Sequence, residues 1–238
     1  MLYNRQAVRD NIRNKDGKRV FYLGKGDQMT SDAKDFLRQE RIEVLPAEMA
    51  RPERYRLAGG GFSEEKLEHM THLNAEVLVR KTHPRIGFRG KMDLLEAELL
   101  LCQKELAGSL CQQLGEILTL ARKLIRCDVL EQPYEGEKLC GLTEAQLRSC
   151  SHRPQEYYGQ PHFMPEAEDT LTVLRLNRLR CLARQAELAA AHAFCDRDGN
   201  MTRPDILQAM NRMSSMLYIL MIQEKAEHGE ESRWNSTR

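Results

Sequence analysis

Arg180, Arg184 and Glu187 stand four and three residues apart. On a helix that spacing puts all three on one face. Two arginines one turn apart repel, so the stripe requires a compensating anion. In one reading Glu187 pairs with Arg184 on a solvated surface, an arrangement worth only ~0.3–0.5 kcal/mol. In the other the arginines clamp phosphate, which the planar guanidinium fork suits. Spacing alone leaves both open.

A second polar set lies further on. Asn211, Ser214, Ser215 and Tyr218 recur at helical steps within an apolar segment. Serine and asparagine are disfavoured inside helices, so they either meet a partner helix or line a site. The methionines between them (Met210, Met213, Met216 and Met221) read as core. A third set is Lys81, Arg85, Arg89 and Lys91 around Pro84 at a helix start, where phosphate is attracted. Asp93 there either satisfies the helix dipole or serves a site. Asp196 to Asn200 resembles a calcium loop, but its glycine is at position four and the closing glutamate is missing, so a capped turn is expected.

The elements that must carry these residues are mostly helical. Met92 to Ile125 keeps helical periodicity, with Gly108 and Gly115 as points of bending. Thr143 and Gln146 form a capping-box pattern. Asp169 to Phe194 reads as a long helix, and Pro204 opens a last one running to about Glu227. The start differs. Arg19 to Leu23 and Ile42 to Pro46 read as strands, with a short helix between them facing inward through Ala33, Phe36 and Leu37. The expected organisation is a small α/β element at 1–50, a linker and short Ser63-capped helix at 51–69, and a helical bundle at 70–238.

The totals exclude several classes. With 36 basic and 35 acidic residues, the chain lacks the concentrated cationic face that nucleic acid or membrane surfaces require. No apolar run reaches the ~18 residues of a transmembrane span, and Met1 to Asn14 lacks a signal-peptide centre. A cytoplasmic location follows as the expectation. The seven cysteines show no close metal-ligand spacing and read as reduced thiols.

Four segments resemble the ethanolamine-utilisation cobalamin adenosyltransferases: THLNAEVLVRKTHPRIGFRGKMD from Thr71, HFMPEAED from His162, LRLNRLRCLARQAEL from Leu174 and RPDILQAMNRMSSMLYILMI from Arg203. The last two also resemble the wider PduO-type enzymes. The resemblance implies a mainly α fold, a five-helix bundle, and a homotrimer or other homo-oligomer with sites between subunits. It implies transfer of the 5′-deoxyadenosyl group of ATP, with Mg²⁺, to the cobalt of cobalamin, releasing triphosphate. By motif, Arg180 matches an arginine that pairs with a neighbouring subunit's aspartate, the position of Asp93. Arg184, Glu187 and Asn211 match ATP contacts. Phe163 lies near the aromatic that covers the lower corrin face. Lys81, Arg85 and Thr71 are further ATP-binding candidates, because no glycine-rich ATP loop is evident; Gly59 to Gly61, or Thr71 to Lys81, stands in its place. Gln185 replaces a family arginine. The cysteine metal site of some ethanolamine-type members is absent, and His69 and His72 alone make a poor site, so no iron or zinc is expected. A reductase and ethanolamine ammonia-lyase would be pathway partners. The alternative is a non-catalytic corrinoid-binding protein, or a scaffold attached to a bacterial microcompartment through residues 1–50.

Overall fold

The computed structural model describes residues 1–50 and 55–236, with side chains described to residue 227. It is mainly helical with a small sheet and divides into two compact units, Met1–His83 and Pro84–Arg238.

The first unit contains β1 (Leu2–Tyr3), α1 (Arg5–Asp10), β2 (Arg13–Lys15), β3 (Lys18–Leu23), β4 (Gln28–Met29), α2 (Ser31–Gln39) and β5 (Glu43–Pro46). β6 (Tyr55–Leu57), β7 (Phe62–Ser63), β8 (Met70–His72) and β9 (Val77–Arg80) follow. Among the described residues the sheet order is β5-β3-β2-β7-β6-β9-β8, and β1 pairs separately with β4. Thr30 caps α2 by accepting from the Ala33 N–H at 3.3 Å, and α2 buries Ala33 and Leu37. These pack with Val8, Ile12, Phe21 and Ile42 into a small core, where Tyr3 meets Phe21 edge-on at 5.2 Å.

Two expectations are corrected here. No helix follows Ser63. Its residue pairs with Asn14 in the sheet, and its buried hydroxyl donates to the Glu65 carbonyl at 2.5 Å. Nor is residues 51–69 a plain linker: 55–57 and 62–63 are strands of the sheet, while 51–54 lie outside the described residues. The turn between them is fixed by Gly61. It sits at φ +81°, and a Cβ there would stand 2.0 Å from the Ile12 carbonyl oxygen.

The second unit contains α3 (Pro84–Glu105), α4 (Gly108–Val129), α5 (Glu144–His152), α6 (Pro154–Tyr158), α7 (Leu171–Phe194) and α8 (Pro204–Ser236). The single periodic run expected from Met92 is two helices. It starts earlier, at Pro84, and breaks before Gly108, whose φ of +66° reverses the chain. α3 and α4 fold back on each other, as the Arg122–Glu96 pair at 3.0 Å shows. Thr143 and Gln146 form the capping box of α5. α8 continues past Glu227 to Ser236.

The open end of the α3–α4 pair is closed by charge. Asp128 is fully buried and accepts from Arg85 Nε at 2.7 Å and Arg89 Nε at 2.6 Å. Arg85 also reaches the Asp128 carbonyl and Glu131. Removing one partner of such a cluster strands the others away from water. Asp128→Ala is therefore expected to destabilise the fold by roughly 3–5 kcal/mol, read as a lowered urea midpoint.

Candidate functional site

α7 explains where the chemistry can sit. Leu176, Leu179, Ala183, Ala186 and Ala190 are buried at three- and four-residue steps. Arg180, Arg184 and Glu187 each follow one of these by a single position, so their stripe borders the buried one. α8 repeats the arrangement. Met210, Met213, Met216 and Met221 are buried as the sequence led one to expect, Leu217 is buried with them, and the polar set lies alongside. Thr170 caps α7 by accepting from the Val173 N–H at 3.2 Å.

A groove of about 470 Å³ lies where the two polar stripes meet. Arg180, Arg184, Glu187, Asn211, Ser214 and Tyr218 contribute to its walls. Asn211 is the tie across it. Its amide donates to Glu187 Oε1 at 3.0 Å, and its carbonyl oxygen accepts from Arg212 at 3.1 Å. Glu187 is thus held by Asn211, and no ion pair joins it to Arg184 among the described residues. The solvated-pair reading of the stripe is not what forms. Arg184 is exposed and has no anionic partner among the described residues.

Arg180 is different. It donates to Asn177 Oδ1 at 3.1 Å, and its guanidinium carbon lies 5.8 Å from the Tyr218 ring centre. Its Nε is buried with no hydrogen-bond partner among the described residues.

The loop before α7 supplies the remaining wall. His162 Nδ1 and the Tyr218 hydroxyl are 2.8 Å apart, and the rings stack at 5.8 Å. His162 Nε2 lies 3.3 Å from the His152 carbonyl oxygen. Burial pushes the Tyr218 phenol above its ordinary range, against the opposing pull of the Phe163 backbone and the Arg180 charge. Phe163 itself packs on the helical core rather than lining the groove, with the Lys225 ammonium 5.4 Å from its ring. Lys225 also pairs with Asp169, whose side chain is 1% exposed. The loop is therefore strapped to α8 at both ends.

The other candidate residues are elsewhere. Asp93 is exposed on α3 and Arg85 is engaged with Asp128, so neither lines the groove. Thr71 and Lys81 belong to the first unit. Gln185 accepts from Lys91 at 3.5 Å. Sequence reasoning singled out Tyr218 but not His162. The signal was its position beside Phe163 in a motif-bearing loop.

Asp169 yields a pH prediction. Burial would raise its pKa, but hydrogen bonds from Lys225 and the Glu166 N–H outweigh that and hold it below the usual carboxylate range. A depressed carboxylate stabilises the fold fully above its unfolded pKa, and that stability is lost as pH falls through the folded value. Wild type is expected to lose stability on acidification below about pH 4. Asp169→Asn should show a flatter dependence there and a lower midpoint at neutral pH, measured by urea unfolding across that range.

The cobalamin adenosyltransferase family matches residues 63–224. The corrinoid adenosyltransferase EutT of Salmonella typhimurium is 37% identical over 164 residues, covering 69% of this chain and 61% of that protein. EutT of Escherichia coli K12 is 38% identical over 158 residues, 66% of this chain and 59% of that protein. The chain thus spans about 60% of the length of these relatives. Among solved structures, a variant PduO-type ATP:corrinoid adenosyltransferase from Lactobacillus reuteri, complexed with cobalamin and ATP, aligns with a TM-score of 0.53 at 18% identity, covering 68% of this chain and 91% of that one. A second variant of that type from the same organism, complexed with ATP, gives 0.50 at 19% identity, covering 68% and 92%. At these identities the structures speak to the fold.

Proposed function

The chain belongs to the cobalamin adenosyltransferase family, and we propose that it is an ATP:corrinoid adenosyltransferase acting at the α7–α8 groove. The observation that carries this is the convergence of Arg180, Arg184, Glu187 and Asn211 on one cavity with Arg184 unneutralised. Relatives carry the same activity in their names, and of the Lactobacillus reuteri structures one is complexed with cobalamin and ATP and the other with ATP.

In this reading Co(I) of the reduced corrinoid is the nucleophile. Its electron pair forms the bond to the ribose C5′, the C5′–O bond breaks, and triphosphate leaves with that bond's electrons. The protein need supply no general base. Its tasks are position, charge and exclusion of water. Arg184 meets the phosphates, where a planar cation opposes charge that grows as the bond breaks. Asn211 fixes Glu187, which then faces the nucleotide as an oriented acceptor. Phe163 and the loop around it shield the lower face of the corrin. Lys81, Arg85 and Thr71 stand as further ATP contacts, although Arg85 would have to leave Asp128 to serve.

Glu187 is the one carboxylate among the residues lining the groove, which suits magnesium arriving on the triphosphate better than a resident protein site. Bound there, magnesium would offset phosphate charge.

We read α3, α4, α5, α7 and α8 as the five helices of the bundle. Arg180, with its orphaned buried Nε, suits a contact with Asp93 of a neighbouring copy, which supports a homotrimer or another homo-oligomer. We place the chemistry on the unit Pro84–Arg238; the expected boundaries at 50 and 69 give way to the unit Met1–His83. Service in ethanolamine catabolism, a reductase and ethanolamine ammonia-lyase as partners, and a cytoplasmic or microcompartment setting complete the proposal. Among the described residues no helix is long and apolar enough to cross a membrane.

The decisive experiment mixes the protein, ATP, Mg²⁺ and chemically reduced cobalamin and follows the corrinoid spectrum. Adenosylcobalamin should form; its absence would overturn the reading. Arg184→Ala should lower turnover about 100-fold or more, the scale for losing a charge-stabilising group, with the urea midpoint unchanged. Arg180→Asp should disperse the oligomer by size-exclusion chromatography, and Asp93→Arg in the same chain should restore it.

A further inference from the structure

The first unit holds a second basic cavity, of about 920 Å³, built wholly from residues before Pro84. Arg5, Arg9, Arg19 and Arg80 line it, against the single carboxylate of Glu40. Glu40 is already engaged: Arg19 donates at 2.8 Å both to its carboxylate and to its carbonyl oxygen. Arg5 lies 3.6 Å from Asp32, but both side chains are more than half exposed and that pair is weak. Arg9 and Arg80 have no anionic partner among the described residues.

The remaining wall is mixed: Ile12, Leu57, Leu67 and Leu78 form an apolar patch, and Asn14, His69, Thr82 and His83 add neutral polar groups. The Ala58–Gly60 turn closes one side. Gly60 there sits at φ +91°, a backbone conformation that favours glycine. No side chain on Gly60 or Gly59 fills the space beside Arg9.

Uncompensated cations around a concavity with low-dielectric walls concentrate a field that attracts anions. Guanidinium forks match phosphate oxygens, and the volume suits a medium-sized ligand with an apolar body. We propose that this cavity binds a nucleoside phosphate, its phosphates on Arg9 and Arg80 and its base and sugar against Ile12, Leu57 and Leu78. This site shares no residue with the α7–α8 groove and does not depend on the activity proposed for it.

The test uses the full chain carrying Arg184→Ala, so that the groove's free arginine is removed from both arms. Calorimetric titration with ADP should show saturable binding. Adding Arg9→Ala and Arg80→Ala should weaken it tenfold or more, and Arg9→Lys with Arg80→Lys should retain most of it. Adenosine should compete poorly. The proposal is overturned if ADP fails to bind at millimolar concentration, if the double alanine change leaves affinity unaltered, or if adenosine competes as well as ADP. Should the alanine pair prevent folding, the single Arg9→Gln and Arg80→Gln changes are read the same way, each expected to weaken ADP at least threefold.

Discussion

The close packing of α7 on α8 sets everything at the groove. Alanines at 183, 186 and 190 of α7 and methionines of α8 are buried in one shared core, where the flexible methionines fill irregular space. Because the polar stripe of α7 trails the buried one by one residue, the depth at which Arg180, Arg184 and Glu187 emerge follows from the core. The site is thus an edge of the core, with its geometry borrowed from apolar contacts.

Charge is distributed unevenly along that edge. Glu187 is restrained by an amide, Arg180 is half-buried over an aromatic ring, and Arg184 has no anionic partner among the described residues. A neutral donor on the carboxylate leaves the arginine's charge available, whereas a direct Arg184–Glu187 pair would have consumed it. At the far end of α3 the opposite solution appears, with two arginines committed to one buried aspartate. One cluster is arranged for stability and the other keeps a cation in reserve.

Much of this was legible in the chain. The helices at α5, α7 and α8, the cap at Thr143 and the strands around Phe21 and Val44 follow from local pattern and turn chemistry. The stripes were legible because helical spacing is geometry. What failed were features decided by distant partners. The break at Gly108 lies inside an unbroken apolar period, and only the packing of α3 on α4 makes the chain reverse there. Strands β6 and β7 are too short to announce themselves, and exist because β2 and β9 offer edges for them. Asp128 reads as an ordinary residue near a helix end until Arg85 and Arg89 come to it. The His162–Tyr218 contact spans 56 residues from an aperiodic loop, so no local signal could have paired them.

Every groove residue from Arg180 to Tyr218 lies on one helical hairpin, closed by the turn in which Asp196 gathers the N–H groups of Asp198 and Asn200. In folding terms the groove's contacts have low sequence separation, and hairpins of this kind close quickly because little loop entropy opposes them. The wall that carries Arg184 can therefore be in place while the loop at His162 is still searching for Tyr218. Assembly of the site then has an order written into chain distance: the helical wall first, the aromatic strap afterwards.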